Sequence, residues 1–102
     1  MKISRIGMDI AKHVFQLHAV DSFERTVLKK KLKRSDVLAY FRTLAGCQIG
    51  MEACGGAHHW ARLLIAMGHS VVLIAPQFVK PYVKTNKNDA ADAEAICEAM
   101  SR

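Results

Sequence analysis

The sequence predicts an α/β domain with a mixed five-stranded sheet, helices on both faces, and the order βββαβαβα. Three observations predict it. Three β-prone runs crowd the N-terminus, separated by turns too short for any crossover, so they must form an antiparallel meander. Two short and mostly apolar runs follow, Cys47 to Glu52 and Ser70 to Ala75, each with a helical stretch before it. Strand–helix–strand units of that kind give parallel, right-handed crossovers.

Taken in order, Ile3 to Ile10 is the first strand, with Ile6, Met8 and Ile10 alternating against Gly7 and Asp9. Ala11-Lys12-His13 turns the chain into a second strand, Val14 to Val20, which ends at Asp21-Ser22. Arg25 to Leu32 is the third strand and carries the run Lys29-Lys30-Lys31. Ser35 is the expected N-cap of a helix with Val37, Leu38, Phe41 and Leu44 on one side, closed by Gly46. The fourth strand, CQIGME, is central and buried. A turn at Gly55-Gly56 leads to a helix from His58 to Met67, stopped by Gly68. SVVLIA is expected to be another buried strand. Pro76 opens a short helical region through Val83, broken at Pro81.

A polar link, Lys84 to Asn88, leads into the last helix, with Asn86 or Asn88 as its cap. At 3.6 residues per turn, Asp89, Asp92, Ala93, Ile96, Ala99 and Met100 share one face, while Glu94 and Glu98 point to solvent. Carboxylates on a protein-facing stripe are costly without a positive partner. A divalent cation is one such partner; the positive end of the helix is the plainer alternative.

A chain of 102 residues builds one domain, and its 51% hydrophobic and 24% charged residues are those of a globular protein. A net charge of +6 and a pI near 9.5 favour a polyanionic partner, nucleic acid first and an acidic membrane surface second. The odd set Cys47, Cys54 and Cys97 has no C-x-x-C pair, which argues for reduced thiols and against a disulfide framework. Cys54, His58 and His59 match no standard zinc spacing. Without an apolar run long enough for a signal peptide or a membrane span, the expected location is cytoplasmic and the expected partners exclude the membrane. Glu98 to Arg102 still reads as helix, as in a domain taken from a longer protein.

The element order is the ribonuclease-H-like topology. Ligands in open α/β sheets bind beyond the carboxyl ends of parallel strands. Asp9 lies late on the first strand and Glu52 ends the fourth, so adjacent parallel strands bring both to one rim. Asp89 and Asp92 would join them from the last helix, making four of only nine acidic residues in the chain. Such hard oxygen donors suit Mg²⁺ or Mn²⁺, and two such ions serve phosphodiester displacement.

Gly7-Met8-Asp9-Ile10-Ala11-Lys12, followed by Val14-Phe15-Gln16-Leu17, resembles the opening of the DEDD-type insertion-sequence transposases. That family is related to the Piv pilin-gene invertase and to RuvC-like resolvases. Met51 to Gly56 is similar to its second block and Lys84 to Ala93 to its third. The resemblance implies that residues 1–102 form a RuvC-like N-terminal catalytic domain in which Asp9, Glu52, Asp89 and Asp92 are the metal-binding tetrad. It further implies a separate C-terminal domain with a nucleophilic serine, absent from this chain, so that the fragment alone is not expected to complete recombination. DNA is the implied substrate, a structured guide RNA a further partner in some members, and the full-length protein a homo-oligomer.

Among the basic residues, Lys12, Lys80, Lys84 and Lys87 are the expected nucleic-acid contacts. Strand alternation distributes Lys29, Lys30, Lys31, Lys33 and Arg34 over both faces, which leaves a phosphate grip and a solvated, aggregation-resistant edge both open. Two other functions fit the topology: a non-catalytic nucleic-acid-binding or assembly module, and half of an actin-like ATPase or sugar kinase. The second needs a Gly- and Thr-rich phosphate turn after the first strand, for which Ala11-Lys12-His13 is a poor substitute.

Overall fold

In the computed structural model, residues 2–84 and 88–102 are described. The strands are β1 (Arg5–Ile10), β2 (Val14–Val20), β3 (Thr26–Lys33), β4 (Gln48–Glu52) and β5 (Ser70–Ile74). They form one sheet in the order β3-β2-β1-β4-β5. The β1–β2 and β2–β3 pairs are antiparallel, and β1–β4 and β4–β5 are parallel. The meander and both crossovers therefore agree with the sequence expectation.

Register decides which residues share a face. Ile6 pairs with Ile49 and Met8 with Met51, and these side chains are fully buried with Phe15 and Leu17 in the larger core. That face is covered by α1 (Val37–Arg42) and α2 (Ala57–Ala66), through Phe41, Trp60 and Leu64. The phenyl ring of Phe15 meets the Trp60 indole edge-on, with centroids 4.9 Å apart. The other face carries Arg5, Gly7, Asp9, Gly50, Glu52, Gln16 and His18, and is covered by α4 (Asp89–Ala99). A smaller cluster of Val79, Ala95 and Ile96 packs α4 against α3 (Pro76–Val79) and the 3-10 turn Lys80–Tyr82.

Four local expectations differ from the structure. Ser35 is not an N-cap: β3 runs on to Lys33, the Arg34 amide bonds the His13 carbonyl at 2.8 Å, and a 3-10 turn over Arg34–Asp36 precedes α1. Gly46 does not close that helix, because the Thr43 hydroxyl has already taken the Tyr40 carbonyl at 2.6 Å. β5 is an edge strand with Val72 36% exposed, so its apolar composition reflects one covered face instead of two. Glu94 and Glu98 are half-buried, because they line a hollow between α4 and the sheet with Arg5, His18 and Glu24.

Arg5 fastens α4 to the sheet. Its Nε donates to the Cys97 carbonyl at 2.8 Å, one of the last-turn carbonyls that a helix leaves unpaired. Its two terminal nitrogens grip both oxygens of Glu24 at 2.5 and 2.8 Å. Glu24 takes a left-handed backbone (φ 64°) in the β2–β3 turn, where Asp21 accepts from the Phe23 and Arg25 amides. Arg5→Lys loses the planar fork and is expected to cost about 2 kcal/mol in urea unfolding. Glu24→Gln should cost well under half of that, since its carboxylate is exposed. Equal losses would show that Glu24, not the helix carbonyl, is what Arg5 is for.

Candidate metal centre

The site begins with strand parity. Register carries β1 and β4 together as far as Met8 and Met51, so the next residues, Asp9 and Glu52, lie side by side at the carboxyl ends of two parallel strands. Side chains alternate, so both belong to the face of Gly7 and Gly50, the face that α4 covers. On α4, Asn88 is the N-cap; its side-chain oxygen accepts from the Ala91 amide at 2.8 Å. That cap starts the helix so that Asp89 and Asp92 fall in its first turn, directly over the rim.

One carboxylate oxygen each from Asp9, Asp89 and Asp92 lies within 4.8 Å of the others. Asp89 is exposed, and Asp9 and Asp92 are half-buried. Burial, then the negative charges of Asp92, Asp89 and Glu52, push the Asp9 carboxyl from an ordinary 3.8 up to about 6. Glu52 acts on Asp9 by its charge but stands beside the triple. With Asp92 and Lys80 it lines an adjoining cleft of about 510 Å³ that also includes Gln77, Val79 and Val83. A carboxylate cluster in which burial and neighbouring charge oppose the ionisation of Asp9 fits a hard divalent cation, which supplies positive charge.

The expected lysines do not share one place. Lys80 is exposed beside Glu52 and Asp92. Lys84 lies on the other flank of α4, in a hollow shared with Lys29, His18 and Asn88. Lys12 is exposed on the β1–β2 turn beyond Asp9. Lys87 lies outside the described residues. Two glycines matter more than the motif alone suggests. A Cβ at Gly7 would overlap the Ala93 carbonyl oxygen and the Cys97 amide nitrogen of α4, and one at Gly50 would overlap the Met100 thioether. A glycine inside a strand is the sequence signal for such close approach. Arg5 had no comparable signal.

A ribonuclease-H-like fold is the class that this sheet order defines. The chain is similar to the solved structure titled "T. thermophilus RuvC in complex with Holliday junction substrate", with a TM-score of 0.72 at 12% identity, over 99% of this chain and 93% of that one. The model of the IS110-type DEDD family, described as "Transposase", matches residues 6–102, and the chain belongs to that family. Over 102 residues it is 62% identical to a Pseudomonas aeruginosa protein named "Probable family 20 transposase", covering 100% of this chain and 30% of that protein. It is 50% identical to the "Transposase for insertion sequence element IS1111A" of Coxiella burnetii, covering 98% of this chain and 28% of that protein. The chain thus spans less than a third of these relatives. Among the described residues, no helix is long and apolar enough to cross a membrane.

Proposed function

We propose that this chain is the metal-binding, RuvC-like N-terminal catalytic domain of an insertion-sequence transposase, acting in DNA strand cleavage and transfer during transposition or site-specific recombination. The observation that carries the proposal is the convergence of Asp9, Asp89 and Asp92 on one rim, with Glu52 beside them. These four residues are the proposed ligands of two Mg²⁺ or Mn²⁺ ions. When bound, such ions activate an attacking oxygen and stabilise a leaving oxygen at a phosphodiester. Asp9, fixed on the central strand, provides the least movable donor. Asp89 and Asp92 come from a helix that docks separately, so α4 sets the width of the site. Lys80, which lines the cleft with Glu52, is a proposed phosphate contact, and so are Lys12, Lys84 and Lys87.

The recombining serine belongs, in this proposal, to a further domain; relatives more than three times as long leave ample chain for it. The fragment alone binds metal and nucleic acid without completing recombination. A structured RNA, a homo-oligomer and the cytoplasm are the corresponding proposals for partner, assembly and location of the whole protein.

The test is a titration of Mn²⁺ or Mg²⁺ into the chain, wild type beside Asp9→Ala, followed by heat and by amide shifts, and repeated with a DNA junction present. Saturable binding is expected in the wild type, with shifts at Glu52, Asp89 and Asp92. The variant should bind on the order of tenfold or more weakly. Equal binding by the variant would exclude Asp9 as a ligand. Junction binding with no metal dependence would favour a non-catalytic nucleic-acid module.

A further inference from the structure

We propose that the edge strand β3 is a docking track for DNA, gripped through Lys29 and Lys31 together with Lys84. The direction of the track rests on the metal-centre proposal above; binding to it does not. In the β2–β3 register, Lys29 pairs with His18 and Lys31 with Gln16. Gln16 in turn pairs with Asp9 and His18 with Gly7. One row across the sheet therefore runs Lys31, Gln16, Asp9, and the next row runs Lys29, His18, Gly7. Paired residues point to the same side of a sheet, so Lys29 and Lys31 stand on the face of α4 and the carboxylates. Two strand spacings separate the Lys31 backbone from that of Asp9, roughly 10 Å.

A second observation agrees. Lys29 and Lys84 line one hollow of about 240 Å³ with His18, Asn88 and Glu94, at the N-terminal end of α4. Glu94 is the acid in that hollow. Even so, among the described residues none of Lys29, Lys31 and Lys84 forms an ion pair. Lys30 is turned to the opposite face, where its ammonium sits 5.4 Å from the centre of the Tyr40 ring. A polyanion laid along β3 gains the two free cations of one face and the cation across the hollow, and is led inward to Asp9. A second copy of this chain is a poor occupant, because its own charge of +6 would meet like charge. Duplex DNA has the complementary charge.

The experiment measures binding of a labelled DNA duplex to the wild type, to Lys29→Ala/Lys31→Ala and to Lys30→Ala, between about 50 and 200 mM salt. Each duplex phosphate contact contributes about 0.9 to the slope of log affinity against log salt, so the double variant should lose about 1.8 and Lys30→Ala nothing. Amide shifts at the buried α4 residues Ala93 and Ile96, recorded on each variant without metal and matching the wild type, show that α4 is intact. The proposal is overturned if Lys30→Ala lowers the slope as much per charge as the pair does, or if the pair leaves the slope unchanged. Absence of duplex binding by the wild type at the lowest salt overturns it too. Loss confined to a structured RNA would reassign the track to RNA. Failure of the metal titration with the slope result intact removes the metal-centre proposal alone.

Discussion

Gly7→Ala is expected to unseat α4 and remove the proposed metal site with it. The new methyl would occupy the space of the Ala93 carbonyl oxygen and the Cys97 amide nitrogen, with the Cys97 Cα a further 2.9 Å neighbour. All three are main-chain atoms of a helix, so no rotamer change relieves the overlap. The helix must lift from the sheet. It then loses the Arg5 bond to the Cys97 carbonyl and the burial of Ala93 and Ile96. A cost of about 3 kcal/mol or more is expected, equivalent to a melting temperature lower by roughly 10–25 °C in a domain of this size. Asp89 and Asp92 move with the helix, so divalent binding should weaken even in the variant molecules that remain folded. Gly50→Ala is the informative companion. The three atoms nearest its methyl all belong to the flexible Met100 side chain, and the change should cost about 1 kcal/mol with metal binding retained. If both variants behaved alike, close approach of α4 to β1 would not be what the glycine serves.

Asp9→Asn should raise the stability of the metal-free protein near neutral pH and abolish its response to divalent ions. The Asp9 carboxyl titrates near 3.8 in its ordinary state and at about 6 in the fold. Between those values the folded state holds the extra proton. The stability due to protonated Asp9 is therefore complete below about pH 4 and lost as pH rises through about 6. A full shift of this size corresponds to roughly 3 kcal/mol, and for a half-buried group screened by solvent about 1–2 kcal/mol is the realistic effect. Melting curves of wild type and Asp9→Asn, in chelator, should diverge from pH 4 to pH 7, with the variant the more stable at the upper end. Saturating Mg²⁺ should reverse the order, because a hundredfold excess over its dissociation constant adds about 2.7 kcal/mol to the wild type alone, more than its deficit of about 1–2 kcal/mol. Parallel curves would mean that Asp9 carries no such strain. Reversal of the order at pH 4 as well would mean that metal binding does not compete with its proton.

Much of this was legible in local pattern. Alternation in Ile6, Met8 and Ile10, the short turns, and the apolar runs at Gln48 and Ser70 determine element type and order, because a two-residue period and a turn residue are properties of a few neighbouring positions. The four acids stood out for the same reason: each follows or opens an element at the end where ligands bind. The orientation of Glu94 and Glu98 was not legible. Helical periodicity gives one inward stripe, whereas β2 and the β2–β3 turn also reach the flank of α4 that carries Glu94 and Glu98. Nor could sequence show that Glu52 would stand beside the triple while Asp89, the most exposed of the four, joined it.

By itself, then, the sequence determined the strand and helix order, narrowed the helix cap to Asn86 or Asn88, and placed Asp9 and Glu52 at the ends of their strands. Tertiary structure alone decided the rest. It set Gly7 and Gly50 under α4, used Arg5 to hold the end of that helix, and sorted Lys29 and Lys31 from Lys30 onto the face of Asp9. The physical reason is register: side chains alternate with a period of two, so a lysine run has no face until its strand is paired. Pairing depends on residues far apart in the chain, and that information is absent from any local window.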